Sequence, residues 1–132
     1  MADTILVVDD SEDIALISAR MLSQRGFAVM TAPDGPEALA MVARQRPSCI
    51  LLDVMMPRMS GLEVLQKLKA DPATASIPVI MVTAKTTDDD VLSGYQQGAD
   101  YYITKPFTAD ELVYGVNLVL GHQPQQPTRT AT

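Results

Sequence analysis

At 132 residues and 47% apolar, the chain is long enough for one domain of ordinary size with a sizeable core. Its net charge of −6 argues against direct nucleic-acid binding, which needs a clustered basic face, although a basic domain elsewhere in a longer parent is compatible with it. A single cysteine excludes an intrachain disulfide, no apolar run approaches the roughly 20 residues of a membrane span, and "MADTILVVDD" lacks the basic start and cleavage pattern of a signal peptide; the expectation is a cytoplasmic protein with no membrane contact.

Apolar runs alternate with helical patterns five times. "TILVVDD" (Thr4–Asp10) is nearly continuous apolar and β-branched, as a strand covered on both faces should be. In "SEDIALISARMLSQRG", Ile14, Ile17, Met21 and Leu22 repeat at helical spacing, and Gly26 suits the position just past the helix end. "FAVMTA" (Phe27–Ala32) is a second strand. Asp34-Gly35-Pro36 opens a helix with Pro36 suited to its first position and Leu39 and Val42 on its apolar side.

"SCILLD" is a third strand ending at Asp53, and Cys49 within it reads as a small buried thiol rather than a nucleophile. "GLEVLQKLKA" is a helix with Leu62, Leu65 and Leu68 inward, "DPATASIP" a loop, and "VIMVT" (Val79–Thr83) a fourth strand. Asp88–Asp90 open a fourth helix, where negative charge complements the helix dipole. "YYITK" (Tyr101–Lys105) is a short fifth strand. The final helix starts at Thr108, which forms a capping-box pattern with Glu111, and Leu112, Val116, Val119 and Leu120 supply its apolar side. Beyond Gly121, "HQPQQPTRTAT" is polar and proline-containing. The division expected is therefore a domain over residues 1–121 and a flexible tail or start of a linker over 122–132, with His122 solvated.

Five strands alternating with five helices specify an α/β fold, a doubly wound parallel five-stranded sheet of (βα)5 type. Ligands in such sheets bind beyond the carboxyl ends of the strands. Asp9 and Asp10, Asp53, Thr83 and Lys105 stand at those ends. Each alone is an ordinary turn, cap or solvated residue. Together they make a cluster of three acids that needs a cation, a shifted pKa, or both: two unit charges about 4 Å apart repel by roughly 4 kcal/mol at an effective dielectric of about 20. Hard carboxylate oxygens without His or Cys favour Mg²⁺, Mn²⁺ or Ca²⁺ over zinc. The single charge of Lys105 suits an incoming phosphoryl oxygen.

With these residues assembled, the chain resembles the receiver domain of a two-component response regulator. The matching pieces are "VVDD", "LLDVMMPRMSG", "MVTAK" and "GADYYITKPF", in order and at fitting separations over about Thr4 to Gly121. The resemblance implies a flavodoxin-like sheet of strand order 2-1-3-4-5, an order shared by the receiver that serves as a standard example of doubly wound sheets. It implies Asp53 as phosphoacceptor, receiving a phosphoryl group from the histidine of a sensor histidine kinase or a phosphotransfer protein. Mg²⁺ is the implied cofactor, with Mn²⁺ as its substitute. Asp10 and Asp53 would bind it directly, Asp9 directly or through water, and Met55 through its backbone carbonyl. Lys105 and the Thr83 hydroxyl would hold phosphoryl oxygens, Tyr102 would rotate inward as the switch aromatic, and Lys105–Pro106 matches a cis position, although trans is the default for X-Pro. Met55 and Lys85 would flank the phosphoryl group and tune its lifetime.

The output surface implied is the face of the fourth helix, fifth strand and final helix, which would engage an unknown output partner or a second copy. Regulators with a winged-helix output often read "GADDY" where this chain reads "GADYY", and their charged dimer contacts use positions that are Val91 and Gly115 here. An apolar contact through Tyr95, Tyr101, Val113 and Tyr114 is the alternative. The expected activity is a phosphorylation-activated switch with slow autodephosphorylation and no turnover of an external substrate. The alternatives are a receiver excised from a larger DNA-binding regulator, a metal-dependent phosphohydrolase, whose usual second acid two residues after the nucleophile is Met55 here, and a contact module that is never phosphorylated. Between stand-alone and excised, the proline-containing tail fits both, with a slight lean to stand-alone.

Overall fold

Side chains alternate between the two faces of a strand, so a strand whose every residue is apolar needs cover on both sides. The computed structural model describes residues 3–84 and 98–121 and supplies that cover. Its elements are β1 (Thr4–Val8), α1 (Glu12–Ser23), β2 (Ala28–Ala32), α2 (Gly35–Arg44), β3 (Cys49–Asp53), α3 (Gly61–Ala70), β4 (Val79–Thr83), β5 (Tyr101–Thr104) and, finally, α4 (Ala109–Leu120). The sheet is parallel throughout, in the order β2-β1-β3-β4-β5. This is the doubly wound, flavodoxin-like order expected from the sequence. The predicted helix opened by Asp88–Asp90 lies outside the described residues, as do Lys85, Val91, Tyr95, His122 and the rest of the 122–132 segment. No helix of the described residues is long and apolar enough to cross a membrane.

The core divides at the sheet. Leu6, Val8, Ile50, Leu52, Val79 and Met81 pack with Ala38 and Val42 of α2 and Val64, Leu65 and Leu68 of α3. Their neighbours in sequence, Ile5, Val7, Cys49, Leu51, Ile80 and Val82, pack with Ala15 and Leu22 of α1 and Leu112, Val113 and Val116 of α4. Each fully buried Leu or Ile contributes roughly 1.5–3 kcal/mol of transfer free energy. The same parity reaches the carboxyl ends of the strands: Asp9, just past β1, and Asp53, the last residue of β3, continue the Ile5–Val7 and Cys49–Leu51 series.

Capping explains the helix boundaries. Ser11, Asp34, Ser60 and Thr108 are N-caps whose side chains accept the backbone N–H three residues on, and Ser60–Glu63 and Thr108–Glu111 are complete capping boxes. Past α1, the Phe27 N–H donates to the Leu22 carbonyl and the Gly26 N–H to that of Ser23, both at 3.1 Å. With Gly26 at φ 94°, this is the paired closure that a left-handed glycine permits.

Three details depart from the sequence reading. Pro36 takes the second helical position, because Asp34 is the cap and Gly35 comes first. The inward stripe of α1 is Ala15, Ser18 and Leu22, and Ile17 is exposed, because the helix presents small residues where it approaches the sheet. Val113 is buried on the core side of α4, so its side chain is not part of an outer face. Gly115 is buried too: a Cβ there would lie 3.0 Å from the Tyr101 ring and from Ile103 Cδ1. The Tyr101 ring occupies the place a side chain at position 115 would need.

Candidate functional site

Parallel strands that all end at one edge bring their last residues together. Asp53 is the final residue of β3 and only 4% exposed. Asp9 follows β1 and is equally buried; its N–H continues the ladder to the Ala32 carbonyl at 3.1 Å. Asp9 Oδ1 accepts the Ser11 N–H at 2.9 Å, which aims the other oxygen into the site. Asp10 is exposed. Thr83 ends β4, is buried, and sits in register with Thr104. Lys105 follows β5 and is held by its own N–H, which donates to the Thr83 carbonyl at 2.8 Å. The Lys105–Pro106 peptide is cis.

Lys105 Nζ donates to Asp9 Oδ2 at 3.0 Å and lies 3.5 Å from Asp53 Oδ1. Asp53 Oδ1 also accepts the Met55 N–H at 3.3 Å. The Met55 side chain points largely to solvent, 60% exposed. Burial, and then the neighbouring Asp9 carboxylate, push the Asp53 carboxyl up to about 6, against the opposing pull of Lys105. Burial is the largest influence on Lys105 and lowers its pKa. The hydrogen bond to Asp9 and the charges of Asp53 and Asp9 outweigh it and leave the ammonium above its ordinary value. The Cys49 thiol is pushed up to about 12 by burial and by Asp100, so it is inert as a nucleophile.

One carboxylate oxygen from each of Asp9, Asp10 and Asp53 lies within 4.8 Å of the others. An ion that binds oxygen at about 2.0–2.1 Å in octahedral geometry separates its ligands by about 2.9 Å when adjacent and about 4.2 Å when opposite. Three carboxylate oxygens within 4.8 Å of one another are therefore close to the span that a hard divalent cation needs. The all-oxygen donor set fits such an ion and does not suit a thiophilic one.

Thus the structure brings Asp9, Asp10, Asp53, Thr83 and Lys105 to one sheet edge. Tyr102, two residues before Thr104 on β5 and paired with Met81 of β4, is partly buried against the α2–α3 side of the core. Lys85 lies outside the described residues. Sequence reasoning passed over Ser18 and Phe107, which with Ile14 and Leu112 line a cavity of about 10 Å³ beneath Asp9 and Asp53. Ser18 was hidden by a helical pattern scored on large apolar residues. It also passed over Arg58, which pairs with Asp34 across 24 positions of sequence, a contact no local pattern announces.

A doubly wound sheet with clustered acids and a lysine at its carboxyl edge defines a class of acid-pocket α/β domains. The comparisons with known proteins narrow it: residues 5–117 match the model of the response regulator receiver domain, and the chain belongs to that family. It is 43% identical over 117 residues to the phosphate regulon transcriptional regulatory protein PhoB of Pseudomonas aeruginosa, covering 89% of this chain and 51% of that one. It is 49% identical over 107 residues to the response regulator PleD of Caulobacter vibrioides, covering 80% of this chain and 23% of that one. Among solved structures it superposes on the chemotaxis protein CheY4 of Vibrio cholerae with a TM-score of 0.87 at 32% identity, covering 90% of this chain and 99% of that one. The chain spans about half the length of PhoB and less of PleD. It is a receiver domain of two-component signalling, and receivers of this family interact with histidine kinases or phosphotransfer proteins.

Proposed function

We propose that Asp53 is the phosphoacceptor of this receiver and that the chain is a phosphorylation-activated switch. The observation that carries the reading is the buried Asp53 carboxylate beside the Asp9 and Asp10 acids, with the Lys105 ammonium 3.5 Å away. An Asp53 oxygen attacks the phosphorus of a phosphohistidine on a sensor kinase or phosphotransfer protein. The phosphorus–nitrogen bond breaks as the new phosphorus–oxygen bond forms. With a pKa of about 6, Asp53 is mostly ionised near pH 7 and still only weakly basic. Phosphoryl transfer asks the protein chiefly for positioning and charge stabilisation. Lys105 would release part of its contact with Asp53 to a phosphoryl oxygen, and the Thr83 hydroxyl would take another.

Asp10, Asp53, the Met55 carbonyl and Asp9, directly or through water, are the residues that would hold Mg²⁺, with Mn²⁺ as its substitute. When bound, the ion neutralises the acids and the phosphoryl oxygens. Thr83 moving toward the phosphoryl group would free room beside β5 for Tyr102 to turn inward. Met55 and Lys85 would tune the lifetime of the acyl phosphate. A shift from 1:99 to 99:1 requires a differential of about 5.5 kcal/mol, within reach of a few charge-assisted hydrogen bonds.

Residues 1–121 would be the signalling unit and 122–132 a tail or linker, in the cytoplasm, without turnover of an external substrate. The output face would be β5 and α4 with the predicted helix that Asp88–Asp90 open. PhoB is described as a transcriptional regulatory protein, and a receiver that belongs to a regulator of that length is the second reading. Incubation with Mg²⁺ and a small acyl phosphate, followed by intact mass, tests the chemistry. One labile phosphoryl adduct that disappears in Asp53→Asn is expected. Many turnovers of a phosphate ester, or no adduct even with a cognate kinase, would overturn the reading.

A further inference from the structure

Asp53 ends β3 and Met55 follows it in the loop to α3, so what holds this loop bears on the Asp53 side of the site. Its backbone is pinned at Gly61, whose N–H donates to the Val54 carbonyl at 2.9 Å, and at Met59, whose N–H donates to the Pro57 carbonyl at 2.7 Å. The second bond closes a three-residue turn centred on Arg58, which has φ 67°. Among the described residues Arg58 is the one non-glycine with positive φ. An L-residue stays there only when its surroundings hold it.

Those surroundings belong to the start of α2. Asp34 uses Oδ1 to cap α2, accepting the Glu37 N–H at 2.9 Å, and Oδ2 to accept from the Arg58 guanidinium, also at 2.9 Å. Beside it, Gly35 is buried with no side chain, and Met59 fills the space: a Cβ on Gly35 would lie 2.8 Å from Met59 Sδ. The N-cap and the first residue of α2 thus grip two adjacent loop residues, one pair by charge and one by packing.

From this geometry we infer that Arg58 is a positioning residue, through which Asp34 clamps the phosphoacceptor loop to α2 and holds the Asp53 side of the site in its reactive shape. The inference deepens the proposed function and rests on it for its chemical readout. A mostly exposed ion pair of this kind shifts a local equilibrium by about two- to fivefold.

The test is a double-mutant cycle. Arg58→Ala removes the cation. Asp34→Asn removes the anion and keeps a competent N-cap. Adduct formation on Asp53 from a small acyl phosphate with Mg²⁺ should slow by about two- to fivefold in each single variant, and the double variant should be no slower than either. Arg58→Lys, which keeps the charge, should recover most of the wild-type rate. In the metal-free protein, amide exchange at Gly61 should rise by a similar factor in both single variants. Effects that multiply in the double variant, no recovery with lysine, or unchanged Gly61 exchange would overturn the clamp. If the wild type formed no Asp53 adduct, the proposed function would fall, and the Gly61 exchange cycle would still decide the clamp.

Discussion

Gly61, the first residue of α3, lies directly against the backbone of Asp53. A Cβ at position 61 would collide with the Asp53 carbonyl oxygen and stand 2.8 Å from Val54 Cα. The clash is with main chain that is itself part of the β3 ladder, so no side-chain rotation relieves it. Gly61→Ala must push α3 or the end of β3 aside, at a cost of about 2–3 kcal/mol by the usual scale of overpacking. For a domain of this size that lowers Tm by roughly 8 °C or more. Calorimetry measures the stability. The rate of Asp53 adduct formation in the surviving folded protein should fall as well, because the displaced carbonyl belongs to the phosphoacceptor. A variant as stable as the wild type would show that this close approach is not needed.

Metal-free Asp53 should make the fold less stable as pH rises. Its carboxyl is held at about 6 in the folded protein against an ordinary 3.8. Between those values the folded state binds the proton that the unfolded chain has released, so stability is greatest below about 4 and is lost as pH rises through 6. The difference amounts to at most about 3 kcal/mol, at 1.36 kcal/mol per pKa unit. Asp53→Asn should therefore be the more stable protein at pH 7.5 without metal, and the gap should close toward pH 4. Urea unfolding of both proteins at several pH values measures this. A gap that widened on acidification would contradict the sign.

Lys105 opposes the burial and the neighbouring Asp9 and Asp10 charges that raise Asp53. Lys105→Met should move the Asp53 titration further upward from about 6, and it should strand Asp9, whose Oδ2 loses its 3.0 Å donor. Carbon-13 NMR of the labelled carboxyl groups in metal-free protein follows the titration. A downward move would mean that the ammonium is not the group holding Asp53 ionised.

At the opposite edge of the sheet, Lys69 Nζ donates to the carbonyls of Ala75 and Ile77, each at 3.0 Å, and lies 3.6 Å from Asp100. Asp100 in turn accepts the Val79 N–H at 2.8 Å. One side chain therefore ties α3, the loop into β4 and the entry to β5. Lys69→Met keeps the stem and removes the charge, leaving two part-buried carbonyls without their donor. The expected cost is about 2–3 kcal/mol, seen as a lower denaturant midpoint. Adduct formation at Asp53 should stay near the wild-type rate, because the change is at the far ends of the strands. A slowed adduct with an unshifted midpoint would reverse that assignment.

What could be read without a structure was whatever rests on near neighbours in the chain. Continuous apolar runs marked strands covered on both faces, Thr108 and Glu111 marked a helix start three residues wide, and Gly26 marked a helix end that only a left-handed residue closes. The strand ends also placed Asp9, Asp10, Asp53, Thr83 and Lys105 together, because parallel strands of equal direction finish at one edge. Side-chain period alone could not find the inward face of α1, where Ala15 and Ser18 are buried and Ile17 is not. Small residues face the sheet there because the helix lies close to it, and hydrophobic size is then the wrong signal.

Tertiary structure alone decided the rest. Asp34 meets Arg58, Lys69 meets Asp100, and the Tyr101 ring lies over Gly115, and none of these pairs follows from any local periodicity. Each depends on how far one helix or loop stands from another, a distance set by the packed volumes of the layers between them. The sequence by itself determined which groups could do chemistry and at which edge they would gather. Close packing decided how firmly the loop beneath Asp53 is held, through Gly61 against its carbonyl and α2 against Arg58 and Met59.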